Sequence, residues 1–333
     1  MTRAAPRRWV LLAALGALML AAAIASLRFG PVDLSAGRLF AAALGNGDHV
    51  AHVILFELRL PRTLLALAVG AMLGLAGAAL QGYLRNPLAE PSVLGASNAA
   101  ALGAVAALYF GLAALHPLML PLLSIGSAIV ALTLLFLLAG RSESPLTLIL
   151  AGIAIATLAG AGISLALNLA PNPFAAMEIM TWLLGSLENR SFAHLWIALP
   201  CIAVGGGLLL SGGRDLDALT LGEDGAQALG VDLRRTRLRL LLGTAIGVGG
   251  AVAVSGAIGF VGLIVPHLVR PFTDRSPSAI LLPSAIGGAA LLTLADIGVR
   301  IIASTNELKL GVVTAFLGVP VFLIHLMRER RLW

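Results

Sequence analysis

Residues 59–104 read RLPRTLLALAVGAMLGLAGAALQGYLRNPLAEPSVLGASNAAALGA, and this stretch decides the solvent in which the chain folds. After Arg62 no charged residue appears until Arg85, and a helix needs about 20 predominantly apolar residues to cross a bilayer. Gly70, Gly74, Ala78 and Gly82 recur every four residues, so they share one helix face. Lipid gives helices little hydrophobic reason to associate, and small residues that let backbones approach become the contact surface. Asn86 and Pro87 then read as a tight turn, and a second apolar run opens near residue 93.

The same grammar extends in both directions. Apolar runs at about 9–27, 62–83, 93–112, 118–139, 146–168, 193–211, 238–256, 258–270, 279–299 and 309–327 make ten candidate spans. The stretch 238–270 divides either into two short helices or into a span and a re-entrant segment. Two more small-residue stripes, Gly152/Ala156/Gly160/Ser164 and Gly243/Gly247/Ala251/Ser255, point to a tight bundle, or alternatively to a thinned wall beside a pore. The expectation is an all-α integral membrane protein of about ten transmembrane helices, with residues 1–333 forming a single transmembrane domain.

Composition agrees. The chain is 59% hydrophobic and 11% charged, against about 25% charged in soluble domains. A net charge of +6 raises nucleic acid as a partner, but the basic residues do not gather on a soluble face. The opening MTRAAPRRWVLLAALGALMLAAAIAS resembles a secretory signal, but its apolar run from Trp9 to Ala25 is long for one. An uncleaved first helix is the preferred reading. With the N-terminus inside, most of the 22 basic residues fall on the inner side, as cytoplasmic loops require. Both termini and the segment 212–237 are then cytoplasmic.

Several chemistries are excluded. Cys201 stands alone, and the six histidines lack metal-ligand spacing. Charge inside the spans is scarce; Asp296 is the nearest exception and pairs with Arg300 at i, i+4. An ion relay of buried carboxylates, which a secondary transporter needs, is not evident. A phosphate-cradling GxxxxGK[ST] loop is absent, and the only lysine is Lys309. ATP hydrolysis by that motif cannot occur in this chain, which is read as a non-enzyme that binds no cofactor itself; if it does work on a substrate, the energy must come from another protein.

The partner's contact is sought in LTLGEDGAQALGVDLRRTR, residues 219–237, a polar island between apolar spans. Ala226 and Leu229 form a small apolar ridge, Gly230 breaks it, and Asp232 to Arg237 continue as a charged second turn. Such a ridge suits the cleft of a soluble partner; its arginines equally suit anionic headgroups.

A resemblance favours the first reading. The 59–104 stretch closely resembles the permease subunits of bacterial ABC importers for iron-siderophores, haem and vitamin B12. So do WLLGSL (182–187), GAIGFVGLIVPHLVR (256–270), LLP (281–283), LADIGVR (294–300) and ELKLGVVTAFLGVPVF (307–322), in order along nearly the whole chain. The resemblance implies a second permease copy, two cytoplasmic ATPase subunits that use ATP and Mg, and a periplasmic substrate-binding protein. It implies ATPase coupling by the loop between the sixth and seventh helices, hence by Glu223, Asp224, Ala226, Gln227, Ala228, Leu229, Gly230, Val231, Arg234 and Arg235. It gives Arg59, Arg62 and Arg300 to binding-protein docking, a role suited to bidentate guanidinium forks. It places a cytoplasmic gate at Ser142, Glu143 and Ser144, although Glu143 is an unusual charge for a path taken by an anionic chelate. The implied function is import of a ferric siderophore or haem across the inner membrane of a bacterium, with a corrinoid as the alternative cargo.

Overall fold

The computed structural model describes residues 4–46, 48–139, 145–302 and 307–329, and among these it contains helices and no strand. In chain order the α-helices are α1 (Ala4–Arg28), α2 (Ala36–Ala43), α3 (His49–Val53), α4 (Leu60–Leu84), α5 (Ala96–Tyr109), α6 (Leu112–Leu115), α7 (Met119–Ala139) and α8 (Pro145–Asn168). There follow α9 (Pro173–Leu183), α10 (Phe192–Ser211), α11 (Gly213–Leu219), α12 (Glu223–Ala228), α13 (Leu233–Ser255), α14 (Val261–Val269), α15 (Pro277–Ile301) and α16 (Leu310–Glu329). Every one of the ten apolar runs holds a helix. Seven helical segments among the described residues are long and apolar enough to cross a membrane; Ala96–Tyr109 and Val261–Phe272 are shorter apolar helices.

The centre of the bundle is an antiparallel seam between α4 and α15. Gly70 lies against the Gly288 carbonyl, Gly74 against that of Ser284, and Gly82 against Pro277. A methyl group on Gly70 or Gly74 would collide with those carbonyl oxygens, so the expected stripe works as backbone-to-backbone packing. The Gly243/Gly247 stripe of α13 does the same against Gly205 and Leu209 of α10 and Met72 of α4. The α8 stripe behaves differently. Gly152 packs on the backbone of Val93 and Leu94, whereas the space beside Gly160 is open and Ser164 is exposed.

The two short spans have a common cause. Gly95 (φ +78°) ends the irregular lead-in to α5, and Gly256 (φ +70°) with Phe260 (φ +69°) breaks the chain between α13 and α14. Gly262, near the start of α14, nests against Gly77 and against Pro91 of the α5 lead-in. Gly77 precedes Leu84, the last residue of α4, by seven positions, roughly 10 Å at 1.5 Å per residue. Both irregular segments therefore lie inside the depth of the bundle, where protein rather than lipid surrounds them. The 238–270 stretch thus resolves into a full helix and a half helix.

Residues 28–61, which fall between the first two apolar runs, carry α2, α3 and a π-helical turn (Ile54–Arg59) that joins α3 to α4 into one apolar helical segment, His49–Leu84. Ser35 and Asp48 cap α2 and α3 by accepting from the Arg38 and Ala51 amides. Ser26, at the end of the signal-like opening, is buried within the continuous α1, in line with the preferred first helix, and is hydrogen-bonded to Thr63 at 2.6 Å.

Candidate functional site

The island forms a compact hairpin at the end of the bundle where α4 finishes and α15 begins. Gly222 (φ +92°) turns the chain from α11 into α12, and Gly230 (φ +86°) turns it again. The Val231 amide closes α12 by donating to the Ala226 carbonyl at 3.0 Å. Asp232 caps α13 through the Arg235 amide at 3.0 Å. Three ties hold the hairpin to the spans. Asp215 accepts from Arg239 at 2.9 Å and from Thr236 at 3.1 Å, and Asp217 accepts from the Ser278 amide at the start of α15 at 2.8 Å.

The apolar ridge differs from the expected one. Ala226 is fully buried and packs inward, while Leu221 and Leu229 stand out with 69% and 66% of their surface exposed. The small residue fits under a helix only six residues long; the larger leucines have no interior to enter. Around them Asp224, Gln227, Ala228, Gly230, Arg234 and Arg235 are exposed, and Glu223 and Val231 half-buried. Arg214, Leu229, Asp232, Arg235 and Arg239 line a cleft of about 410 Å³. The surface therefore offers two bare leucines and a cleft of mixed charge in which Asp215 and Asp232 stand among the arginines, and the residues 232–237 are the opening of α13 rather than a separate turn.

At the opposite end the three arginines turn inward. Arg59, on the π-helical turn, donates to the carbonyls of Leu27 and Arg28 at 2.8 Å each, and also to that of Val32. Arg300 donates to the Ser26 and Phe29 carbonyls at 3.0 and 3.2 Å. Together they cap the C-terminus of α1, whose last carbonyls have no intrahelical partner and carry the negative end of the helix dipole. Arg62 grips both oxygens of Asp296 through Nε at 3.0 and 3.1 Å, and reaches Glu307 with both terminal nitrogens. Asp296 is fully buried and also pairs with Arg300 at 3.2 Å, the i, i+4 partner expected. Forks expected to face a docking protein are thus engaged within the chain. The reason is energetic: a buried carboxylate such as Asp296 cannot stay ionised without compensating cations.

One buried acid was not anticipated. Glu90, which follows the expected Asn86–Pro87 turn, has 7% of its surface exposed and accepts from Ser92 and from the Phe260 amide at the head of α14. Gln81 of α4 donates to the Gly262 carbonyl at 3.2 Å and accepts from Arg270 at 3.0 Å, tying α14 at both ends. A glutamate flanked by two prolines signals a kinked segment in sequence, but nothing local says that the segment folds inward. The gate residues Ser142, Glu143 and Ser144 lie outside the described residues. No group of three or more metal-ligating side chains occurs among the described residues.

With this geometry in hand, comparison with known proteins is decisive. The model of the FecCD transport family matches residues 18–328. The chain belongs to the FecCD transport family. This FecCD-family chain is 40% identical over 297 residues to the ABC transporter permease YvrB of Bacillus subtilis, covering 88% of the chain and 84% of YvrB. It is 40% identical to the Fe(3+) dicitrate transport system permease FecD of Escherichia coli, over 86% of the chain and 88% of FecD. It is 36% identical to the vitamin B12 import system permease BtuC of Citrobacter koseri, over 97% of the chain and 95% of BtuC. Among solved structures, a metal-chelate type ABC transporter in an inward-facing conformation superposes with a TM-score of 0.85 at 32% identity, over 95% of this chain and 98% of that one. The protein is a multi-pass ABC importer permease, and in these transporters ATPase activity resides in a separate subunit.

Proposed function

We propose that this permease imports an iron chelate, a ferric siderophore or haem, across the bacterial inner membrane. It works as a pair of identical copies with two cytoplasmic ATPases and a periplasmic binding protein. The observation that carries the mechanical part is the island: Leu221 and Leu229 bare near a charged cleft, on a hairpin fastened to α13 and α15 by Asp215 and Asp217. An ATPase that grips this hairpin pulls directly on two spans. Coupling of this kind requires nucleotide to favour one arrangement of the bundle over the other.

Pairing of two copies is supported by α8. Thr157, Ser164 and Asn168 share one exposed face beside the open Gly160; the two hydroxyls donate back to the Ile153 and Gly160 carbonyls of their own helix, and small polar residues of this kind suit faces where spans meet. A second copy, with a wet path between the two, gives that face a suitable surrounding. The docking of a binding protein at the far end would have to compete with the in-chain partners of Arg59, Arg62 and Arg300. Corrinoid cargo is a second reading with equal support from the relatives, BtuC matching over 97% of the chain and FecD over 86%.

The test is uptake into vesicles holding the complex reconstituted with its ATPase and binding protein, compared across a ferric siderophore, haem and cyanocobalamin. Iron-chelate uptake at least ten-fold above cyanocobalamin supports the proposal. The reverse ranking assigns the corrinoid, and accumulation by the permease without an ATPase overturns the mechanism.

A further inference from the structure

We infer that Arg237 is the positioning residue that passes displacement of the 219–237 hairpin into the helix bundle, through Tyr83 of α4 and Phe136 of α7. The inference rests on the coupling role proposed above and assigns its next step. Arg234 and Arg235 are exposed at the hairpin surface, whereas Arg237 is half-buried and directed inward, away from that surface. Its guanidinium carbon lies 5.5 Å from the centroid of the Phe136 ring, within the range of a cation–π contact. The same side chain hydrogen-bonds to the Tyr83 hydroxyl, which also lies in the field of Glu223 on α12. The Tyr83 and Phe136 rings meet edge to face at 6.2 Å and 82°. One planar cation therefore joins the hairpin to two aromatic rings on two different spans.

This junction differs from the other ties of the hairpin. Asp215 returns to α13 and Asp217 reaches the first turn of α15, both at the end of the bundle. The Arg237 contact instead enters the interior, beside a small apolar cavity bordered by Leu94, Leu132, Leu148, Leu241 and Thr244. Those residues belong to the α5 lead-in, α7, α8 and α13. Close-packed side chains move together rather than compress, so a tilt of the Arg237–Phe136–Tyr83 cluster is felt on every one of these elements. Among them is α8, the helix with the open polar face.

The experiment uses the full complex in vesicles and measures transport per ATP hydrolysed, with the cargo that the unaltered complex carries fastest among a ferric siderophore, haem and cyanocobalamin. Arg237→Ala should lower transport per ATP at least ten-fold while the ATPase still co-purifies. Arg237→Lys, which keeps the charge but loses the planar face, should recover part of the loss. Phe136→Leu, close in volume, should lower the ratio at least three-fold and covers the case in which Arg237→Ala fails to assemble. Unaltered transport per ATP in Phe136→Leu, or in an assembled Arg237→Ala, overturns the inference. So does loss of the ATPase from the Arg237→Ala complex, which would make Arg237 part of the docking face. Failure of the underlying coupling role reads differently: Leu229→Asp would then leave ATPase binding intact.

Discussion

The two ends of the bundle use arginine in opposite ways. At one end Arg59, Arg62 and Arg300 are buried and hold backbone carbonyls, Asp296 and Glu307 of their own chain. At the other, Arg234 and Arg235 are exposed beside two bare leucines. In sequence both sets look alike, arginines at span ends. The difference lies in what surrounds them. A guanidinium near a terminating helix and a buried carboxylate is drawn in; one on a hairpin with neither stays in water. Buried arginines organise the fold, and exposed ones are left for something else to meet.

That contrast can be broken by substitution, beginning with the largest effect. Arg62→Ala leaves Asp296 buried with its main cation removed, and should cost roughly 3–5 kcal/mol of stability, as loss of one partner of a buried ion pair does. Denaturant unfolding in detergent measures it; a loss below about 1 kcal/mol, the value of an exposed pair, would show that the arginine is a surface group after all. Arg59→Ala removes charge-assisted bonds to the last carbonyls of α1 and should cost about 1.5–3 kcal/mol, visible also as faster amide exchange at the end of that helix. Asp217→Ala takes away the acceptor of the Ser278 amide at the head of α15 and should cost about 1 kcal/mol, the usual value of a helix cap. Leu229→Asp at the exposed end should change stability by no more than about 0.5 kcal/mol, yet reduce ATPase co-purification at least ten-fold. A destabilised but ATPase-binding Leu229→Asp protein would invert the contrast.

Much of the fold could be read from periodicity. Each apolar run became a helix because twenty residues without charge have few alternatives in lipid, and the glycine stripe of α4 found its seam with α15. The half helices were harder to see: Gly95, Gly256 and Phe260 adopt left-handed backbone, and a sequence does not disclose that such turns lie at depth. Of the candidate site, the island was legible as a long polar stretch between spans, but its C-terminal boundary was not: α13 already begins at Leu233, where charged residues mask the helix. The inward turn of Ala226 was not legible either, since a ridge read from spacing alone leaves its direction undetermined. Nor were the partners of Arg62, which lie more than 230 positions away along the chain.

The α4–α15 seam carries a mechanical implication. Where main-chain oxygens occupy the space that side chains would fill, no rotamer is available to absorb slippage. Sliding one helix past the other by a turn would carry the methyl of Ala66 or Ala78, on the same face, onto a carbonyl that now meets a glycine. The pair behaves as a keel, and whatever rocks in this protein must pivot around it.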